Sequence, residues 1–441
     1  MLIYSPEPSP RLQYVVDFIS QELLLNDAAF TTDPEVFRHY DGIRINYSKQ
    51  SFDHSECHIY PHGLLRETGV AKQMIEMTQW NGLPAFFPTA GKHIGFDLFA
   101  AIFYLLSRYE EYLPHEKDGF GRFSHTSSLA WQQGFLDRPL INEWLEKWTE
   151  ELSQLFPGVV FRRRSYKFIP TYDIDMLYSF RGKALWRNMG GAVRSILNGQ
   201  LGEALLRWKV LRGKERDPYD AYEWLDALHL YCRVKPIYFF LVAQKQKGLD
   251  KNIPTSYKPF QELISYHASN YKIGLHPSWQ SSVEDGNTII REEKEWLEVV
   301  ADREVDKSRQ HFIKFSLPDG YQRLLDVGIR QDYSMGYGTV NGFRASVASS
   351  FLWYNLDTNS VTPLRVYPFC FMDATARFQQ KLNPQQAYTE LMKYYVAVKK
   401  VKGCFITIWH NNFLGTDRDY KGWRDVYEIF MKEDAYWDAN A

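Results

Sequence analysis

Two carboxylates follow directly on an apolar segment near the middle of the chain. The segment ends at residue 171, and Asp173 and Asp175 come next, two positions apart. Placing two like charges beside an apolar segment is unfavourable, because burial and mutual repulsion both oppose ionisation. The pair therefore indicates a metal site or a catalytic base. The structural alternative is that both aspartates cap the turn or helix that follows.

Further polar residues stand beside later apolar segments, namely His276, Arg309, Asp332 and His410. Each has a structural alternative. A histidine can simply bond a backbone carbonyl, and Arg309 can form an ion pair with Asp332. In open parallel sheets and in barrels, however, the carboxyl ends of the strands meet at one edge. We therefore expect these side chains to lie together with the aspartate pair.

From residue 166 onward, short apolar segments alternate with amphipathic helical segments, which predicts a parallel sheet, open or closed into a barrel. The predicted strands are 166–171, 237–242, 272–275, 311–315, 329–333, 365–372 and 404–409. The predicted helices are 220–231, 257–268, 288–300, 320–327 and 384–401.

The first part of the chain has a mixed pattern. Helices are predicted at 13–25, 96–112 and 142–155, with short strands around a turn within 30–47. A run of three arginines at 162–164 marks a seam. The pattern predicts an N-terminal α+β domain over residues 1–160 and a C-terminal α/β domain over residues 161–441.

Composition excludes several classes of function. There are 52 Lys and Arg against 53 Asp and Glu, a net charge of −1, so a generic nucleic-acid binder is not expected. The 4 cysteines form no CxxC pair, which excludes a zinc knuckle or a disulfide framework. Aromatic residues make up 16% of the chain, which suits either sugar stacking or, as the preferred interpretation, thick packed cores.

No targeting or membrane segment is visible in the sequence. The N-terminus lacks a basic stretch followed by an apolar one, and the longest apolar-rich run, 96–106, is too short to span a bilayer. We therefore expect a soluble, cytoplasmic protein with no membrane partner.

Three histidines recur every four residues, at His54, His58 and His62. On a helix they would share a face and could bind a metal. Pro61 and Gly63 oppose a continuous helix, so a surface loop is the preferred interpretation.

The ordered set of strand-end residues resembles the polysaccharide deacetylase (NodB-homology) family, carbohydrate esterase family 4. The family's successive motifs align with Asp173 and Asp175, His276, Arg309, Asp332 and His410. The phrases IGLHPS, SRQHF, DYSMGY, GFRA and IWHN are similar to a Bacteroidetes-type branch with an extra N-terminal domain of unassigned function, which residues 1–160 resemble through FDLFAAIFYLLSRYEEYLP. The resemblance covers residue 166 to the C-terminus and implies a distorted (β/α) barrel.

The resemblance also implies an activity, the hydrolysis of carbon–nitrogen (non-peptide) bonds. The simplest reaction is deacetylation of an N-acetylated carbohydrate with a divalent metal, expected to be zinc; an O-acetyl ester is a close variant. Asp173 would then be the general base, held by Arg309, and His410 the general acid. Asp175 and His276 would bind the metal.

Substrate-binding residues are expected around these groups. Trp279, Tyr333 and Trp409 are candidate stacking surfaces for a sugar ring, with packing inside the barrel as the alternative. Arg344 could bind an anionic group or form a surface salt bridge. Asp373, at another strand end, could be a further acid or a loop cap.

One position departs from the family pattern. Gln280 stands four residues after His276, where the family has a second metal-binding histidine. Either Gln280 supplies a weak carbonyl ligand, or His311 enters from the neighbouring strand, or the site binds no metal. The last case leaves a metal-free hydrolase of a ureide or small amide, or a catalytically silent barrel that binds a glycan or a partner.

Overall fold

A computed structural model describes residues 1–23, 28–53, 55–161, 164–245, 248–282 and 286–439. The first part of the chain forms a four-stranded parallel sheet of order β2-β1-β3-β4 and a separate β5-β6 hairpin. The strands are β1 (Leu2–Tyr4), β2 (Ala29–Thr31), β3 (Arg44–Tyr47), β4 (Cys57–Ile59), β5 (Met77–Trp80) and β6 (Leu83–Phe86). The helices are α1 (Pro10–Glu22), α2 (Pro34–Arg38), α3 (Leu98–Leu106), α4 (Leu129–Gln132) and α5 (Leu140–Leu155).

Local sequence explains where these helices begin and end. Helix α1 starts after Ser9, whose side chain accepts the backbone N–H of Leu12, and has Pro10 in its first turn. Helix α3 is buried on all sides rather than amphipathic, so the predicted segment 96–112 is too long. It stops at Arg108, which has a positive φ of 55°, and a 3₁₀ turn, Tyr109–Tyr112, follows.

The rest of the chain builds one nine-stranded sheet. Its strands are β7 (Lys167–Ile174), β8 (Ile237–Phe240), β9 (Lys272–Leu275), β10 (Lys307–Ser308), β11 (Gln331–Asp332), β12 (Phe351–Asn355), β13 (Ser360–Val366), β14 (Phe371–Met372) and β15 (Cys404–His410). Its helices are α6 (Leu185–Leu197), α7 (Leu201–Leu211), α8 (Tyr222–Cys232), α9 (Lys258–Asn270), α10 (Gly286–Ala301), α11 (Asp319–Asp326), α12 (Pro384–Lys400), α13 (Asn411–Leu414) and α14 (Trp423–Ala439).

The strand order in this sheet is β12-β13-β11-β10-β9-β8-β7-β15-β14. All neighbouring pairs are parallel except β12 and β13. The predicted mixed α/β class with a parallel sheet is therefore confirmed. Among the described residues the two outer strands do not pair with each other, so strand pairing does not close the sheet into the expected barrel.

Two predicted strands are wrong in detail. Residues 311–315 begin with a 3₁₀ turn, His311–Ile313, in which Phe312 and Ile313 have positive φ, and the strand itself is the two-residue β10. The predicted strand 365–372 divides into the end of β13 and the separate β14. Pro368 lies between them and cannot donate a ladder hydrogen bond.

The aromatic residues mainly pack the interior. Five tryptophans are fully buried: Trp144, Trp148, Trp353, Trp409 and Trp423. A single contiguous core of buried residues runs through both parts of the chain. Among the described residues, no helix is long and apolar enough to cross a membrane.

The histidine series near residue 58 does not form a helix. His54 lies outside the described residues. His58 is in β4, is 3% exposed, and its Nε2 contacts the carbonyl oxygen of Ser48 at 2.9 Å. His62 stacks on the ring of Phe87. The surface-loop interpretation is therefore wrong for His58, because its strand is an interior element.

Candidate active site

The carboxyl ends of neighbouring strands bring the predicted residues together. Asp173 is the penultimate residue of β7, and Asp175 follows that strand. The register of β15 on β7 places His410 directly beside Asp173. His276 and Arg309 each follow their strand, β9 and β10, by one residue.

Arg309 positions Asp173. Its Nη1 donates to Asp173 Oδ1 at 2.8 Å and to Thr171 Oγ1 at 2.7 Å, and its Nε donates to the carbonyl oxygen of Tyr333 at 3.0 Å. The guanidinium is fully buried and lies over the ring of Phe239. The alternative pairing of Arg309 with Asp332 is not found; the Asp332 carboxylate instead accepts the hydroxyls of two serines. A charge-assisted hydrogen bond thus fixes the orientation of the Asp173 carboxylate.

Three imidazoles converge on Asp175. The Nε2 of His276 lies 3.1 Å from Asp175 Oδ1, and those of His311 and His410 each lie 3.6 Å from Oδ2. The Asp175 side chain is about one-third exposed, whereas the two rings of His276 and His311 are nearly fully buried. The sequence alternative in which His311 enters the site therefore matches the geometry.

The opposite nitrogen of each ring is held by an acceptor. His276 Nδ1 contacts the carbonyl oxygen of Arg309 at 2.5 Å. His311 Nδ1 contacts Asp250 at 2.8 Å, and His410 Nδ1 contacts Asp373 at 2.6 Å. Because these oxygens accept hydrogen bonds, Nδ1 must carry the proton in each ring. All three Nε2 atoms then face the Asp175 carboxylate, as donors when the rings are protonated and as lone pairs when the rings are neutral.

This arrangement fits a divalent metal ion. Asp175 Oδ1 is buried, and the nearest nitrogen facing it is His276 Nε2 at 3.1 Å. Asp175, His276 and His311 offer ligand atoms that all lie within 4.8 Å of one another. Two imidazole nitrogens and one carboxylate oxygen form a common donor set for catalytic zinc and related ions. A metal ion bound here would displace any Nε2 protons and be coordinated by these three groups.

Electrostatic interactions among these side chains also shift their pKa values. Burial alone would raise the pKa of Asp175, but His311, His276 and His410 hold it well below its ordinary value. Burial alone would lower the pKa of His311, but Asp175 and Asp250 raise it to about 9. For His410, Asp373 is the main group that raises the pKa, to about 10. The carboxylates around the site thus favour positive charge at its centre.

Asp250 is a site residue that the sequence analysis missed. Besides His311, its carboxylate accepts the backbone N–H of Trp279 at 2.7 Å and that of Gln280 at 3.1 Å. It lies in a loop after β8 with no motif around it, so no local signal marks it.

Asp373 was named only as a further acid or a loop cap. It accepts both the Nδ1 proton and the backbone N–H of His410. Both aspartates orient imidazoles, as outer-shell carboxylates do in metal sites.

A cavity of about 240 Å³ opens onto the cluster. Besides the five central residues Asp173, Asp175, His276, His311 and His410, its wall includes Phe120, Arg122, Met176, Phe312, Phe378 and Phe413. The first two of these belong to the first part of the chain, so residues 1–160 contribute to the wall of the site.

Three expected substrate contacts are corrected by their burial. Trp409 is fully buried against Tyr427, and Tyr333 stacks on Tyr367 at a centroid distance of 4.6 Å; neither lines the cavity. Both side chains are packed in the interior, as the packing alternative allowed.

Arg344 also has a structural partner rather than a substrate. It is 1% exposed and makes two hydrogen bonds to Glu111, at 2.8 and 2.6 Å. Trp279, by contrast, packs on Phe120 and Phe312, which both line the cavity, so its role stays a prediction.

Comparison with known proteins gives matches to separate parts of the chain. Residues 1–157 match the model of a family of unknown function, DUF7033. No curated protein matches the sequence significantly. Partial structural similarity is found to a crystal structure from Mycobacterium smegmatis that is assigned as a polysaccharide deacetylase. The two share 13% identity over 63% of this chain and 86% of that one, with a TM-score of 0.40.

Two other solved structures are similar at the same level. The Puue allantoinase shares 11% identity over 61% of this chain and 84% of its own, with a TM-score of 0.39. The polysaccharide deacetylase Bc1974 from Bacillus cereus shares 9% identity over 61% and 88%, with a TM-score of 0.31. At these TM-scores the similarity carries no functional weight, and the site's own residues must supply the reasons for a function.

Proposed function

We propose that this protein is a metal-dependent hydrolase of carbon–nitrogen (non-peptide) bonds, and that its substrate is an N-acetylated carbohydrate. The observation that supports it is the convergence of three imidazole Nε2 atoms on the Asp175 carboxylate, at 3.1–3.6 Å, on the wall of a cavity. In this proposal Asp175, His276 and His311 hold the metal. His311 thereby takes the role that the family pattern gives to position 280.

The bound metal would supply a Lewis acid that lowers the pKa of water and polarises the acetyl carbonyl. Asp173 takes the proton of the attacking water, since its carboxylate is fixed by Arg309 beside the cluster. A C–O bond forms as the C–N bond breaks. His410 gives its Nε2 proton to the departing amine, while Asp373 holds Nδ1. The products are acetate and an amino sugar.

The cavity limits the substrate. Its volume of about 240 Å³ lies below the usual range for ligand pockets, which suits one acetylated sugar unit rather than several. The wall is largely apolar around the charged cluster, and Phe120, Phe312 and Phe378 offer aromatic surfaces to a sugar ring. These features favour a single N-acetyl group presented at the end of a chain or on a small molecule.

The test is a metal titration of three proteins combined with acetate release from N-acetylglucosamine oligosaccharides. Wild type should bind one zinc ion per chain. His311→Gln should lose the bound metal and lower activity by about 10²–10⁴-fold. The matched control is His58→Gln, another buried histidine with one carbonyl contact, which should bind metal as wild type does.

Three results would contradict the proposal. If wild type binds no zinc, nickel or cobalt, metal-dependent chemistry is excluded. If wild type binds metal but acetate release persists after chelation, the hydrolysis is metal-free, as expected for an enzyme that cuts a ureide or small amide. Metal binding without any hydrolysis of acetylated sugars would identify a silent binding protein.

A further inference from the structure

A helical hairpin between β7 and α8 exposes an apolar face. Helices α6 and α7 pack against each other, and ten of their large apolar side chains are 45–80% exposed. They are Leu185, Trp186, Met189, Val193, Ile196, Leu197, Leu201, Leu205, Trp208 and Leu211. An exposed patch of this composition is unusual on a monomer and marks an interaction surface.

Helix α6 has its polar and apolar sides exchanged relative to an ordinary surface helix. In α6 the two buried residues are Asn188 and Ser195, both polar, while the apolar residues point outward. The Asn188 amide donates to the carbonyl oxygen of Phe180 at 3.0 Å and accepts from Arg207 Nη1 at 3.2 Å. A surface helix normally turns its apolar stripe to the core. In α6 the polar side therefore faces the protein, whereas the buried residue of α7 is the apolar Val210. The exposed apolar side chains of both helices are left for another phase or partner.

Basic residues accompany this apolar face. Residues 183–216 contain eight Lys and Arg against two Glu, although the whole chain carries a net charge of −1. The guanidinium of Arg187 lies over Trp186, and both Arg212 and Lys214 lie over Trp208. Tryptophan flanked by cations is the pattern of a membrane–water interface, where the ring sits at headgroup level and the cations meet lipid phosphates.

The hairpin is fixed to the edge of the sheet that carries the candidate site. It begins ten residues after Asp175. At its far end, the Asp217 carboxylate accepts the backbone N–H groups of Ser179, Phe180 and Arg181, which joins the two ends of the insertion. The Arg207 guanidinium also lies 4.3 Å from the centre of the Phe180 ring. The apolar face is thus held in place relative to the sheet.

We propose that the α6–α7 hairpin docks the protein onto the surface of an anionic lipid membrane. Its apolar side chains enter the headgroup–acyl boundary, and its Lys and Arg residues contact the phosphates. Pairing with a second copy of the same face is disfavoured, because it would bring two basic surfaces together. Interfacial docking needs no spanning helix. The proposal therefore differs from the sequence expectation of no membrane partner, which rested on the lack of such a span, and the experiment below decides between the two.

The proposal is tested by sedimentation of the full chain with vesicles. Wild type should bind vesicles of equimolar phosphatidylglycerol and phosphatidylcholine at least about tenfold more tightly than vesicles of phosphatidylcholine alone, and high salt should weaken the binding. The apolar variant Trp186→Ser/Leu201→Ser/Trp208→Ser should lose at least about tenfold in affinity. The charge variant Arg194→Glu/Arg212→Glu/Lys214→Glu should lose a similar factor, and only on anionic vesicles.

A matched control comes from α8, where Leu230 and Tyr231 are 82% and 69% exposed outside the hairpin. Leu230→Ser/Tyr231→Ser should bind vesicles as wild type does. Because all these positions are exposed, each variant should keep the wild-type melting temperature. Failure of wild type to bind anionic vesicles, or equal binding by the apolar variant, would overturn the proposal. A wild-type dimer that the apolar variant converts to a monomer, with no vesicle binding, would assign the face to self-association instead. Neither readout depends on catalysis.

Discussion

Two buried clusters in this protein pair carboxylates with basic side chains, but one cluster uses arginine and the other uses histidine. Around Glu111, arginine N–H groups meet carboxylate oxygens: Arg344 donates twice to Glu111, and Arg108 donates to Glu111 and Glu110 at 2.7 Å each. Around Asp175, three imidazole rings face a carboxylate through Nε2, and an oxygen acceptor holds Nδ1 on the far side of each ring.

The comparison distinguishes a buried cluster that is already neutralised by protein cations from one that is suited to a ligand. In the Glu111 cluster each carboxylate is neutralised by protein cations. Burial alone would raise the pKa of Glu111, but Arg344 and Arg108 hold it at about 2. In the Asp175 cluster the basic groups are imidazoles, which can give up their Nε2 protons to a metal ion, whereas the guanidinium groups of the Glu111 cluster cannot give up theirs. The first cluster therefore stabilises the fold, whereas the second is organised for a ligand.

The largest expected effect comes from a substitution that breaks the Glu111 cluster. Arg344→Met leaves Glu111 short of its bidentate partner in the interior, which should cost about 3–5 kcal/mol in the free energy of unfolding. Zinc binding by the folded protein should not change. Denaturant unfolding and a metal titration measure the two properties.

The control for this substitution is Arg330→Met at an exposed position. The double variant Glu111→Leu/Arg344→Met should recover part of the loss, because it removes the unpaired charge as well. An Arg344→Met protein as stable as wild type would show that the buried ion pair does not support the fold.

The next effect concerns the second cluster. Asp250→Asn replaces an obligate acceptor by an amide that can also donate, so His311 is no longer held in one tautomer. Zinc affinity should fall about 10–100-fold with little change in melting temperature. Asp306→Asn, at the start of β10 and outside the cluster, should leave zinc affinity unchanged. Equal zinc affinity of Asp250→Asn and wild type would mean that the orientation of His311 does not matter.

The smallest effect tests a buried carboxyl that belongs to neither cluster. Glu293, on α10, accepts the backbone N–H of Ser278 at 3.0 Å, and burial raises its pKa to about 7. Between pH 4.5 and 7 the unfolded chain ionises Glu293 while the folded protein does not. The contribution of this group therefore destabilises the fold progressively across that window and changes little above it.

Glu293→Gln removes this titration. The stability of the variant relative to wild type should increase by about 2 kcal/mol between pH 4.5 and pH 7. Unfolding curves of both proteins across this range measure the difference. A constant difference would show that Glu293 titrates alike in the folded and unfolded states.

Much of the site was predictable because its residues stand at strand ends. Apolar segments located β7, β9 and β15 to within a few residues, and the parallel arrangement then required Asp173, Asp175, His276 and His410 to meet. Periodicity and position were sufficient here, since the carboxyl ends of parallel strands share one edge.

Other features depend on tertiary contacts that leave no local pattern. Asp250 reaches His311 across 61 residues of sequence, and Arg344 reaches Glu111 across 233. The helices α6 and α7 were not among the predicted elements. The outward turn of their apolar side chains could not be predicted in any case, because amphipathicity shows that a helix has two faces but not which of them turns inward. The true position of β10 was missed because a two-residue strand carries no period.

The outer edge of the antiparallel strand β12 is covered by the first part of the chain. It lies at one end of the nine-stranded sheet, and among the described residues it pairs only with β13. Helix α1 covers it: Tyr14 Oη donates to the carbonyl oxygen of Leu352, and its ring packs against Tyr354. An open edge with apolar side chains recruits strands from other molecules. Helix α1 therefore shields this edge, and we expect that removing residues 1–160 would expose it to pairing with other molecules.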